Sequence, residues 1–574
     1  MKVAAKEKND RTTPYILLFS ALSMIMIVLS ALLFVFVCNL SVIDAVLHAL
    51  LFGAFCGYFV YKKLFLKNDK AKLSKANNDY FLSKTVESFS DMPYQRKLLI
   101  IIIAIPAAVV IFTALIYGIS NVFSEFSLYS VLALSLFMLA VFHRDGDTVS
   151  GRDLLKLFTV ALIVRTAFCF LYNLEPVSDF WKTYFRAQLL SEAPVSQWSD
   201  ILHTAYTKTF PSITPYILYE TFVIKLFGKG YVALQIINVI CSSATCVFVA
   251  KIAESIFCRT NERKKRPTAL CAGYLMVFNP VALFFISVLS CQHIAICLCL
   301  CALYFFICAP LKNNWFNIIL GSVVLAFSHL MRSEMTVMII AVGCFAVYRL
   351  FEILFKKKQH DAYAVLKIIA QAACIVITFR AVIFAVDALL LGLDIISVSI
   401  SDTNLSYKVL VGINTASEGR FNSGDMELLL NGEFDKINEY VIERLKHPLE
   451  LINLFSVKIK NNFADNSSVF YFDPNAQAGS VKSFIKDHVC TQMNNAYMLS
   501  LLFGLFFSVF AWIRKHKQSS VLFFIFMTGL ICAFLIVEIQ PRYLQILLPV
   551  YSVFAADGCM AAAEKIKGYF NGQS

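Results

Sequence analysis

The feature that most constrains this chain is the repetition of apolar runs long enough to cross a bilayer. A spanning helix needs about 20 apolar residues. Such runs stand near 15–38, 41–61, 98–118, 126–143, 154–173, 230–256, 267–286, 289–309, 314–331, 334–355, 364–388, 494–513, 519–538 and 543–562. The expectation is an all-α polytopic membrane protein of about 14 transmembrane helices. Composition points the same way: 59% of the 574 residues are hydrophobic and only 16% are charged. That is more apolar side chain than a soluble core hides, so a soluble enzyme, a disordered chain, a collagen-like chain and a small disulfide scaffold are excluded. The run at 15–38 is too long, and too poorly followed by small residues, for a cleaved signal peptide; it reads as a permanent anchor.

The formal net charge is +13, but its distribution argues for membrane topology and against nucleic acid. Lys2, Lys6, Lys8 and Arg11 precede the first run, and Lys62, Lys63, Lys67, Lys70, Lys72 and Lys75 follow the second. Arg263, Lys264, Lys265 and Arg266 precede the seventh, Lys356, Lys357 and Lys358 follow the tenth, and Arg514, Lys515 and Lys517 follow the twelfth. Lys565 and Lys567 close the chain. With both termini cytoplasmic, all of these fall inside, which is the bias expected of a multi-pass protein in the plasma membrane. One apolar stretch, 213–228, is short, holds Pro215 and carries Glu220 and Lys225. It reads as a helix lying at the outer surface.

Two outer loops are then large, 174–229 and 389–493. The second shows helical patterning at Asp435–Lys446 and Pro448–Lys460 and no period-2 strand, so a small, mostly helical outer domain is expected. The chain divides into an N-terminal four-helix extension (1–150), a membrane core (151–390), the outer loop domain (391–493) and the last helices with a tail (494–574).

Candidate chemistry sits in the outer loops. Asp179 follows a spanning run by six residues, and Tyr184 follows it at near-helical spacing. A carboxylate at the membrane boundary can take a proton from an acceptor hydroxyl, or Ser178 or Asp179 can simply cap a surface helix. Glu175 carries the same ambiguity. Arg332 and Glu334 stand in HLMRSEM, Glu538, Arg542 and Tyr543 in EIQPRYL, and Lys182 and Arg186 follow Asp179. Outer arginines converging on one cavity suit a polyprenyl phosphate or pyrophosphate; equally, arginines at helix ends snorkel. His293 follows Gln292 at an outer helix start, as a hydrogen-bonded structural residue or a ligand. Arg165, Arg380 and Asp387 fall within spans, where ionisable groups point to function or pairing. The 17 Cys, among them Cys297, Cys299 and Cys301 in one run, behave as small hydrophobes. No Cys/His cluster has metal spacing, and no Walker A, GxGxxG, GxSxG or HExxH motif occurs. Neither metal nor cofactor is expected.

The order of several segments resembles the multi-spanning GT-C glycosyltransferases, the superfamily of the protein O-mannosyltransferases and the lipid A aminoarabinose transferases, and especially their bacterial relatives. The pieces are EPVSDFWKTYFRAQ, TPYILYETFVIKLFG, FNPVALFFISVLSCQHIAICLCLCALYFF, HLMRSEM, YKVLVGINTASEGRFNSGD and QPRYLQILLPVYSVFAADG, from about residue 154 to 562. The resemblance implies a GT-C-like membrane core with juxtamembrane helices on the outer face. It also implies an inverting transfer from a polyprenyl-phosphate sugar to an extracytoplasmic acceptor. Asp179 matches the acceptor-activating residue, and Arg332 and Arg542 match basic residues that hold the departing phosphate. The chain reads Cys291-Gln292-His293 where many relatives carry an acidic residue, and lacks their Pro-Pro pair at Ser212–Pro215. A polysaccharide or lipid transporter or flippase, and a non-catalytic assembly protein of the same fold, are the competing readings.

Overall fold

The computed structural model describes residues 104–124, 148–257, 265–312, 314–354, 362–402, 404–464, 481–484, 493–514 and 518–570. The expected spans at 15–38, 41–61 and 126–143, and the basic clusters at 2–11, 62–75 and 356–358, lie outside the described residues. Among the described residues there is no strand. The principal helices are α1 (Ile105–Ser124), α2 (Gly151–Leu171), α3 (Ser178–Glu192), α4 (Thr214–Phe227), α5 (Val232–Phe257), α6 (Lys265–Val277), α7 (Pro280–Phe285), α8 (Gln292–Lys312) and α9 (Trp315–Met331). They continue as α10 (Thr336–Leu354), α11 (Ala362–Gly392), α12 (Leu405–Gly412), α13 (Ser423–Leu430), α14 (Phe434–Leu445), α15 (Pro448–Lys458), α16 (Met493–Arg514), α17 (Gln518–Ile536) and α18 (Leu547–Phe570).

Five stretches among the described residues are long and apolar enough to cross a membrane: Gly151–Leu171, Val232–Phe257, Ser333–Ile353, Ala362–Gly392 and Pro541–Ala561. α5 lies at the centre, against α2, α6, α8 and α18. α16 packs along α18, and Gly504 meets Gly558 there so closely that a Cβ on either would strike the other helix's backbone. Small residues permit such backbone approach in membrane bundles.

The run expected as one span at 267–286 is broken instead. α6 ends at Val277, and Asn279 starts α7 by accepting the Ala282 N–H at 2.9 Å. Pro280, the first residue of α7, has no N–H to donate and suits a first helical position, so the chain restarts there. The last span also starts irregularly, as a 3-10 turn over Pro541–Ile546 ahead of α18.

α4 has 14 residues, short of a bilayer crossing, and packs against α3. Glu220, whose charge counted in the sequence against a spanning helix, is fully buried in this contact region with Tyr216, Ile217 and Ile224. The helices expected at 435–446 and 448–460 form as α14 and α15. Together with α12 and α13 they enclose small cores around Leu410, Val411 and Ile437 and around Ile413, Leu451 and Leu454. Asp425 holds this unit together: it accepts Asn414 Nδ2 at 2.7 Å and Arg444 through both oxygens, at 3.1 and 2.9 Å.

Candidate active site

The loops that close one end of the bundle meet around the turn between α17 and α18. Arg542, on that turn, donates to Asp179 on the first turn of α3 at 3.2 Å, joining residues 363 positions apart. Lys182, one turn along α3, approaches the other oxygen of Asp179 at 3.6 Å. The capping alternative does not apply: Val177 is the N-cap of α3, and no side chain caps that end. Ser178 instead adopts φ 53°, a left-handed conformation uncommon for a residue other than glycine. Local backbone strain just before Asp179 thus accompanies its presentation to Arg542. The carboxylate stays accessible, with 38% of the side chain exposed.

Tyr543 organises the arginines. The guanidinium of Arg332 lies 4.9 Å and that of Arg542 5.4 Å from its ring centroid, and Arg542 also lies 5.4 Å from Phe180. Arg332 pairs with Glu334 at 2.5 Å and reaches the Cys291 sulfur at 3.7 Å. Burial on its own lowers the pKa of Arg332, but Glu334, Cys291 and Tyr543 outweigh it and raise the value, so this cation stays charged. The Nε of Arg542 is buried without a hydrogen-bond partner. Tyr206 carries Lys182 and Arg186 over its ring, each at 5.2 Å; burial, with Asp179 adding to it, pushes its phenol up to about 12.

A third pair, Lys408 with Glu538 at 2.5 Å, completes the cluster. Lys408 was missed in the sequence, although YKVLVGIN was singled out as a segment. Gln540 also donates to Glu538, at 2.9 Å.

Other sequence candidates lie elsewhere. Glu175 is exposed before α3. The Tyr184 hydroxyl donates to the Lys229 carbonyl and ties α3 to the α4–α5 connection. Arg186 donates to the Lys182 carbonyl at 3.1 Å and to Thr204 at 3.3 Å. His293 is buried and lines a small internal cavity with Ser242, Thr245 and Gln545. Arg165 donates to Ser242 and to the Met276 and Val277 carbonyls, within the bundle as its position suggested. Arg380 is exposed, and Asp387 accepts from Ser399 and the Ile400 N–H, so these two do not pair. Among the described residues no cluster of His, Cys, Asp or Glu could hold a metal.

The fold and this end-of-bundle cluster define a multi-pass helical membrane protein with a charged site built from distant loops. Residues 211–379 match the family described as dolichyl-phosphate-mannose-protein mannosyltransferase, less than a third of the chain. This match bears out the resemblance to the GT-C membrane glycosyltransferases drawn from the sequence. Among solved structures, the archaeal oligosaccharyltransferase AglB from Archaeoglobus fulgidus, in complex with an inhibitory peptide and a dolichol-phosphate, is similar at a TM-score of 0.41 and 12% identity. That likeness covers 72% of this chain and 51% of AglB, so this chain spans about half of AglB's length. A comparison with curated proteins gives no match.

Proposed function

We propose that this protein is a membrane glycosyltransferase that moves a sugar from a polyprenyl-phosphate donor to an acceptor on the outer face of the cell membrane. The observation that carries the reading is the Asp179–Arg542 pair, which unites an acid and a phosphate-binding cation from two loops expected on the same side. The match of residues 211–379 to a family named for a dolichyl-phosphate sugar donor supports it. Both termini are then cytoplasmic, α3 and α4 lie at the outer membrane surface, and the helices of residues 404–464 belong to an outer domain beside the site.

Asp179 acts as general base. It takes the acceptor hydroxyl proton while the acceptor oxygen bonds to the anomeric carbon from the face opposite the phosphate. The bond from that carbon to the phosphate oxygen breaks, the electron pair leaves with the polyprenyl phosphate, and the sugar's configuration inverts. Arg332 and Arg542 receive the departing charge in charge-assisted hydrogen bonds. Entry of the phosphate draws Arg542 off Asp179 and leaves the carboxylate free for the acceptor.

The test is Asp179→Asn in a transfer assay with labelled lipid-linked donor. Removal of a general base typically costs 10²–10⁴-fold in rate, and a drop of roughly that size with normal expression is expected. Wild-type-like transfer by a well-folded variant would remove Asp179 from the mechanism and make Glu175 the next candidate. Mass spectrometry of surface glycans with and without the protein identifies the sugar.

A further inference from the structure

The segment that delivers Lys408 is fastened to the turn carrying Arg542 and Tyr543. The Glu538 N–H donates to the Lys408 carbonyl at 2.9 Å, and the Ile539 N–H donates to the Gly419 carbonyl at 2.9 Å. Lys458, at the end of α15, is fully buried and places its ammonium on the Leu535 carbonyl in the last turn of α17 at 2.8 Å and on the Val537 carbonyl just beyond it at 2.9 Å. A cation suits that position because the C-terminal carbonyls of a helix carry partial negative charge. A Cβ on Gly412 would collide with the backbone of Ile536 and Val537, and Gly419 holds φ +73° against the Lys458 side chain. Glycine is needed where backbones approach this closely.

This fastening places the Lys408 ammonium within electrostatic reach of Tyr543, the residue under both arginines. It pairs with Glu538, whose side chain is only 5% exposed, while its own side chain is 39% exposed. Asp179 thus holds Arg542, with Lys182 on its other oxygen, while Glu334 holds Arg332 and Glu538 holds Lys408. Lys408 is open to a headgroup anion from solvent, whereas Glu538 is buried and accepts from Gln540.

Building on the donor-phosphate reading above, we propose that Lys408 is a third anion-binding cation of the site, supplied by residues 404–464, and that Glu538 is the counter-ion it releases when a phosphate headgroup enters. The two members of the pair then act in opposite directions. Glu538 competes with the phosphate, and Lys408 binds it.

The experiment measures binding of a sugar-free polyprenyl monophosphate to the full-length protein in lipid nanodiscs, for wild type, Lys408→Gln, Lys408→Arg, Glu538→Gln and Arg542→Ala. Loss of one charge-assisted contact predicts about tenfold weaker binding for Lys408→Gln. Arg keeps the charge, so Lys408→Arg should stay within about threefold of wild type. Glu538→Gln should bind more tightly than wild type. If the pair only clamps the two segments together, Lys408→Gln and Glu538→Gln weaken binding alike, which overturns the proposal. Binding that depends on Arg542 but not on Lys408 overturns it too and leaves the donor-phosphate reading standing. Binding that ignores both residues removes the headgroup from this site altogether.

Discussion

Arg165 and Arg542 are the same residue type, one fully buried and the other 13% exposed, and their partners differ in kind. Arg165, inside the bundle, gives its donors to neutral acceptors: Ser242 at 2.8 Å, Val277 at 3.1 Å and Met276 at 2.8 Å. The two carbonyls end α6 where the chain breaks before Pro280, so this cation repairs a helix terminus. Arg542 faces a carboxylate and two aromatic rings and keeps a buried Nε without a partner. The first set of contacts has nothing to exchange for a ligand. The second can trade its carboxylate for a phosphate. Burial alone therefore does not separate a structural arginine from a functional one; the exchangeability of its partners does.

Substitution of the two arginines should break stability in one case and donor use in the other. Arg165→Leu leaves the Met276 and Val277 carbonyls without their donor, and thermal unfolding in detergent should show a loss on the order of 2–5 kcal/mol. A folded, stable Arg165→Leu protein defective only in transfer would place Arg165 in the mechanism and erase the contrast. Arg542→Ala should cost donor use on the order of 1.5–3 kcal/mol, the value of a charge-assisted contact, with little change in melting temperature. Kinetics unchanged with respect to the lipid-linked donor would instead mark Arg542 as a snorkelling residue.

A smaller effect sharpens the comparison at Glu220, a buried acid with neither carboxyl oxygen hydrogen-bonded. Burial raises its pKa well above the usual 4.5, against the opposing influence of Tyr216 and Thr183. A carboxyl with a raised folded-state pKa holds its proton in the native state after the unfolded chain has lost it. Its stabilising contribution is full below pH 4.5 and is lost as pH rises through the folded value. Glu220→Gln should therefore match wild type in melting temperature at acid pH and exceed it increasingly as pH rises. A difference that does not change with pH would show that Glu220 does not titrate with folding.

Much of this was legible in the sequence, for identifiable reasons. Helix positions follow from apolar periodicity; Arg332, Glu334, Glu538, Arg542 and Tyr543 stood out in short breaks between apolar runs, and Asp179 near the start of a large outer loop. Their partners were not legible, because Asp179 and Arg542 meet across 363 residues and no local pattern encodes a contact of that span. Lys408 and Lys458 sit in amphipathic segments, where a lysine reads as a solvated face. The burial of Glu220 was not legible either, because it depends on how α4 packs against α3. Continuous hydrophobicity across 267–286 hid the break at Asn279-Pro280 from the apolar-run reading, although FNPVALFF stood out through the family resemblance.

The phosphate role of Arg332 and Arg542 is tested most directly by a structure of the full-length protein in nanodiscs with a bound polyprenyl phosphate. The phosphate should lie in hydrogen-bonding contact with Arg332 and Arg542, next to Tyr543, with Arg542 withdrawn from Asp179. A headgroup bound at the interior cavity lined by Ser242 and His293, or one that leaves the Asp179–Arg542 pair intact, would contradict it.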